Sequence, residues 1–231
     1  MSAIAGINGD VWFSTSPSTA LGSSEAATDS GDHKHYFLTH QAWDQSQTFT
    51  VECSPDGSTD WVAVTDYEIY WPVGEIVFNT VRTVGTNDHV RVSAGHYFTL
   101  SSLSGAHAWK GSAKAATKDT TLFQAEDHFA QNTATVKSMT FSVDCFSDDP
   151  RILNELVTGE DAINISGGVV ICQLWWNKPG GKRWQFAAIP SGMDTTVAAN
   201  DVDKQTINMI VSGPLYRITS DTLSTTTVSR A

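Results

Sequence analysis

Ser138-Met139-Thr140-Phe141-Ser142-Val143-Asp144-Cys145 alternates polar and apolar side chains without a break, and Val169–Trp176 is a near-continuous apolar run. Period two over eight residues fits a strand that buries one face, and an unbroken apolar run fits a strand covered on both. Pro179-Gly180-Gly181 then supplies turn chemistry. Beyond it Trp184, Phe186 and Ala188 alternate with Arg183, Gln185 and Ala187, and Ile207, Met209 and Val211 alternate with Thr206, Asn208 and Ser212. A mainly β fold follows.

The same idiom extends towards the N-terminus. Phe49, Val51 and Cys53 alternate with Thr48, Thr50 and Glu52, and Pro55-Asp56-Gly57 turns the chain. Tyr67, Ile69 and Trp71, a turn at Pro72-Val73-Gly74, then Ile76 and Phe78 read as a hairpin over 67–79. Val90 and Val92 begin a further strand towards Phe98. One segment breaks the pattern: Ser147-Asp148-Asp149-Pro150 ahead of Arg151–Val157, with Gly159 beyond, carries the start and stop signals of one short helix. Ser14–Gly31 and Ser220–Ala231 are polar and lack an apolar period, so they read as mobile. The expected organisation is an N-terminal arm and loop over 1–35 and an inserted or accessory β-meander module over 36–104. A β core with one helix spans 105–219, and a C-terminal arm spans 220–231.

Composition narrows the function. The 231 residues carry a net charge of -11, which argues against a surface built to grip nucleic acid. The acid excess is uneven: residues 1–105 hold 12 acidic against 3 basic residues, and 106–231 hold 13 against 11. Cys53, Cys145 and Cys172 sit in apolar alternating runs with no paired spacing, as small buried hydrophobes in a reducing compartment would. Met1–Ser14 shows neither a basic region nor a long apolar run, so no secretory signal is expected. No stretch reaches the roughly 18 apolar residues of a membrane span.

Catalytic and ligand-binding templates find little support. Gly180-Gly181-Lys182 has Trp176 and Arg183 where a phosphate loop needs Gly and Ser or Thr, so it reads as a hairpin turn. His33, His35 and His40 lack the tightly spaced fourth ligand of a structural zinc site. Asp148 and Asp149 read as helix-capping acids, and Asp201 and Asp203 as a solvated loop. No G-x-S-x-G or H-E-x-x-H is present. No enzyme activity, cofactor or metal is expected. Eight Trp in an acidic β-rich chain do suit carbohydrate stacking. Trp71, Trp176 and Trp184 fall within strand patterns, while Trp12, Trp43 and Trp109 are freer. An extracellular-type β-sandwich that binds glycans is therefore the alternative reading, with an acidic hydrolase third.

The order of elements in the C-terminal half carries a resemblance. Asp149-Pro150 with Leu153–Gly159, Val169–Leu174, Gly180-Gly181-Lys182-Arg183-Trp184, Ala188-Ile189-Pro190-Ser191 and Ile207–Gly213 succeed one another as in the major tail (tail tube) proteins of long-tailed bacteriophages. Ala5-Gly6-x-Asn8-Gly9-Asp10-Val11 and Trp109–Phe123 are similar as well. Thr50–Gly57, with Asp66-Tyr67-x-Ile69 and Gly74-x-Ile76-x-Phe78, looks like a β-module met in phage structural proteins, and it departs from the shortest tube subunits.

The resemblance implies a tail-tube-type β-sandwich or barrel whose copies form rings, usually hexameric, that stack into a hollow tube. DNA would pass through without specific binding. The other partners would be tail proteins at the tube ends, with no membrane involved. The protein would be assembled in the host cytoplasm and reside in the virion tail. Within this frame Trp109, Lys110, Lys114, Lys118, Thr120, Thr121, Leu122 and Phe123 are expected to form a self-assembly loop. Lys at spacing four also suits one face of a short solvated helix.

Overall fold

The computed structural model describes residues 9–103, 105–119, 132–146, 169–196 and 204–230. The chain is mainly β, and every strand pairing is antiparallel. Its strands in order are β1 (Asp10–Ala20), β2 (Glu25–Ala26), β3 (Thr28–Asp29), β4 (His35–Phe37), β5 (Thr50–Ser54) and β6 (Val62–Val64). There follow β7 (Tyr67–Tyr70), β8 (Glu75–Phe78), β9 (His89–Ala94), β10 (His96–Ser102) and β11 (Ala106–Asp119). The last five are β12 (Asn132–Phe146), β13 (Val170–Asn177), β14 (Lys182–Thr196), β15 (Lys204–Ile218) and β16 (Val228–Arg230).

Eight of them build one large sheet among the described residues, in the order β10-β1-β13-β14-β15-β12-β11, with β16 added to β15. The alternation in the sequence decides its faces. Phe141, Val143 and Cys145 of β12 and Ile207 and Met209 of β15 turn inward, meeting Cys172 and Leu174 of β13 and Val11 of β1. The sheet curls around this core, which takes residues from β1, β10, β12, β13, β14 and β15. Leu103 N donates to Val11 O, Phe146 N to Gly105 O, and Trp109 of β11 reaches β13, its Nε1 donating to Trp175 O at 3.4 Å.

The remaining strands form a small sandwich with its own core. Its sheets run β2-β9-β5-β6 and β3-β4-β8-β7. Val51, Cys53, Val90 and Val92 from one sheet face Tyr36, Ile76 and Phe78 from the other. Sequential hairpins supply β5–β6 and β7–β8, while β9 and β4 join them from elsewhere in the chain. This unit leaves the large sheet after Ala20 and returns at His96. Those two residues are register partners, and Leu21 N donates to Gly95 O just beyond them. The sequence expectation placed Asp10–Ala20 in an arm and loop, partly mobile; it is instead a strand between β10 and β13. Pairing of Asp10–Phe13 with β13, and of Trp12–Thr15 and Thr19–Ala20 with β10, orders a segment whose latter half is polar and carries no core signal. The expected helix over 150–157 lies outside the described residues.

A buried polar network docks the small sandwich on the large sheet. Arg183 lies with Gln173 and Gln185 on β13 and β14; its Nη2 and Gln173 Nε2 both donate to Gln41 Oε1, and Gln185 Nε2 donates to Pro72 O. Burial lowers the Arg183 pKa to about 10 against the opposing pull of Asp221, so it stays cationic at neutral pH. The C-terminal segment completes the junction. β16 pairs with Tyr216–Ile218, while Leu223 and Val228 cover Val73, Tyr216 and Ile218. Gly181, with φ of 68°, turns the chain beneath it: a Cβ there would lie 2.4 Å from Asp221 N. Ser220–Ala231 was expected to be mobile. Two apolar residues and a free strand edge suffice to seat its described part on the protomer's own core.

Glu75 of β8 lies at the same junction, only 6% exposed. Burial raises its pKa from 4.5 to about 7, with Asp32 adding to the rise and His35 and Arg230 opposing it. Between those two values the folded state holds a proton that the unfolded state has lost, so stability falls as pH rises through this window. Glu75→Gln should therefore raise Tm by on the order of 5 °C at pH 8 and leave it unchanged near pH 4, read by thermal melts across pH. Deleting 220–231 exposes three side chains that are 0–1% accessible. It should lower Tm by about 10 °C, in contrast to the small effect expected of a mobile tail.

Candidate assembly surface

Trp109–Asp119, expected as a loop or a short helix, belongs to β11. It pairs with β12 from Ala106↔Cys145 to Asp119↔Asn132. Thirteen register pairs outweigh the helical preference of its Ala and Lys residues, because propensity is a weak prior against long-range pairing. Thr120, Thr121, Leu122 and Phe123 lie outside the described residues. Lys118 is on the strand with Lys110 and Lys114.

The two faces of β11 differ. Trp109 packs against the large core, its ring centroid 6.3 Å from that of Phe141. Gly111 admits the same ring, since a Cβ there would lie 2.6 Å from Phe141 Cε1. Trp109 is thus part of the protomer core as well as of the edge strand. Lys110, Ser112 and Lys114 point to the opposite, exposed face, across from Ser142, Thr140 and Ser138.

β11 ends the sheet order, and its outer side has no strand partner among the described residues. Its outer half also parts from the rest of the sheet. β12 pairs with β15 only over Thr140–Phe146. Beyond Ile210, β15 bulges at Gly213-Pro214 and gives its outer edge to β16. Residues 114–119 and 132–138 therefore run on as a two-stranded arm. Near its root, Ile189 and Ile210 are cross-strand partners at 43% and 45% exposure, an apolar pair on the outward face. The sequence reading missed this pair. The signal was there: each continues a period-two pattern one residue out of phase with the core.

At the other end of the sheet the edge is covered. Phe98 N donates to Ala42 O and Asp44 N to His96 O, so the segment 42–44 lies along the first half of β10. Trp43 of that segment, read as one of the freer tryptophans, is 1% exposed and caps the small core. Its neighbours Ala42 and Asp44 are buried too, so the burial has no sequence period; the ring is enclosed by Phe49, Tyr97 and the close approach of Gly95. Trp12 lies under Lys178 Nζ at 4.7 Å.

Most acidic side chains of residues 9–103 are compensated locally. His33, His35 and His40, the residues considered as metal ligands, each pair with a separate carboxylate, of Asp29, Asp32 and Glu25, at 2.5–2.6 Å. Glu52 pairs with Arg91, Asp66 with Arg82 and Asp10 with Lys178. Burial disfavours the Asp10 charge, but hydrogen bonds from Lys178, Trp12, Ser102 and Val11 outweigh it and hold its carboxyl below the usual range. Asp44, Asp56 and Asp88 accept from turn amides or hydroxyls. Among the acids of residues 9–103, that leaves Asp60, Glu68 and the buried Glu75 without a hydrogen bond or ion pair among the described residues. Lys110 and Lys114 have none either. Lys182 with Gly180 and Gly181 belongs to the β13–β14 hairpin, built on a 3₁₀ turn over Lys178–Gly180.

No protein-family model matches the sequence, and no curated protein matches it. Among solved structures, one titled as the virion of a native gene transfer agent particle is similar at 18% identity and a TM-score of 0.41, covering 51% of this chain and 88% of that one. Another, titled as the tail of an empty gene transfer agent particle with C6 symmetry, is similar at 15% identity and a TM-score of 0.38, covering 72% and 92%.

Trp109→Ala should lower Tm by about 5 °C, because the ring fills part of the core, while Lys110→Ala leaves it within about 1 °C. Parallel thermal melts check both.

Proposed function

We propose that this chain is the structural subunit of a phage-type tail tube. Its copies assemble into rings, six per ring as is usual in the family it resembles, and the rings stack around a channel for DNA. The observation that carries this reading is the outer side of β11, a 14-residue strand with no strand partner among the described residues. Such an edge recruits a second chain unless it is covered, and head-to-tail pairing that closes on itself gives a ring without loose edges. The arm formed by 114–119 with 132–138 extends that edge past the pairing of β12 with β15, and the exposed Ile189–Ile210 pair offers apolar surface beside it. Ring formation would remove both from water.

In this role the chain needs no cofactor and performs no chemistry. Its net charge of -11 suits a channel wall that repels phosphate, so that DNA slides without adhering. Its partners would be its own copies and the tail proteins at the tube ends. Assembly would take place in the host cytoplasm, and the product would reside in the virion tail.

The reading is tested with the purified full chain, by mass measurement over a concentration series and by negative-stain microscopy. Rings or tubes should appear as concentration rises, without any added cofactor. A species that stays monomeric at the highest concentration overturns the reading.

A further inference from the structure

We propose that, between neighbouring copies, Lys110 and Lys114 of β11 seat against Asp60 and Glu68 on the rim of the other copy's small sandwich. This rests on the self-assembly reading above and names the two surfaces that meet.

The charge pattern points to them. Nearly every acidic side chain in residues 9–103 is neutralised or hydrogen-bonded within the protomer, and the exposed exceptions are Asp60 and Glu68. Both lie on one rim. β6 is the terminal strand of one small sheet and β7 of the other. Only Thr65 and Asp66 separate them, so one short link carries the chain from one sheet's edge to the other's. Asp60 sits just ahead of β6, Glu68 lies within β7, and Val62 stands between them in sequence at 63% exposure. An apolar side chain flanked by uncompensated acids is poorly suited to water and well suited to a basic strand.

β11 is such a strand. Lys110 and Lys114 lie on one face, about 14 Å apart along the strand, and neither finds a partner in its own protomer among the described residues. Ser112, the residue between them on that face, is small and exposed, which lets a neighbouring rim come close. Lysines on an open edge also discourage pairing with a second basic strand, so the same residues that select an acidic rim reject β11-to-β11 association. Charge pairs of this kind set orientation and register more than affinity, which a ring subunit requires.

The test compares four forms of the full chain: wild type, K110E/K114E, D60N/E68K and the combination of all four changes. Asn replaces Asp60 because that residue has φ of 52°, in the left-handed region that Asn tolerates. Thermal melts should agree within about 2 °C, since all four positions are exposed. At low salt K110E/K114E should raise the concentration needed for assembly at least about tenfold, and D60N/E68K should weaken assembly in the same direction. Raising the salt should narrow both differences, and the combined form should recover most of the loss. If the wild type assembles and K110E/K114E assembles equally well at low salt, this pairing is wrong while self-assembly stands. The pairing is also wrong if both double variants lose assembly and the combination recovers none of it. If the wild type itself stays monomeric, the self-assembly reading fails and takes the pairing with it.

Discussion

Backbone N–H and C=O groups at the two ends of the large sheet have to be hydrogen-bonded to something, and the protomer answers differently at each end. At β10 the chain supplies its own cover, laying Ala42–Asp44 along the strand on the way through the small sandwich. At β11 no strand does so among the described residues. Rolling the sheet until Trp109 touches β13 closes the core but leaves the outer side of β11 without a strand partner among the described residues. The arm, the outward lysines and the exposed isoleucine pair all follow from where that edge lies.

The small sandwich depends on the same sheet. Its entrance and exit are neighbouring strands, so inserting 21–95 costs the large sheet none of its pairing. What fixes its orientation is chemical: Arg183 and the glutamines beside it hold Gln41 and the carbonyl of Pro72 from below. A charge buried there is tolerable because each of its three guanidinium nitrogens has an acceptor. The C-terminal strand then seals the flank, with Leu223 and Val228 over Tyr216 and Ile218. A short polar tail thereby becomes part of the joint between the two sheets.

Local alternation made much of this legible. Phe141, Val143, Cys145, Ile207 and Met209 announce their burial by period two, and the 67–79 hairpin is written in its turn residues. Where burial arises from a crossing rather than from a period, the sequence is silent. Trp43 is the clearest case, enclosed by Phe49, Tyr97 and Gly95 from three separate stretches of chain. β11 is another: its Lys spacing fits a helix face as well as a strand face, and only its partner β12 decides between them.

By itself, then, the sequence determined the mainly β class, the inward faces of β12, β13, β14 and β15, and the hairpins at 67–79 and 178–182, because neighbouring residues alone set these features. The tertiary structure decided which strands pair across long separations, that Asp10–Ala20 is a strand within the large sheet, and that 220–230 packs on its own protomer. It also decided which end of the large sheet has no strand partner among the described residues. Those outcomes turn on which backbone edge meets which, and an edge's hydrogen-bonding groups are the same for every residue, so they leave no mark in the side-chain pattern.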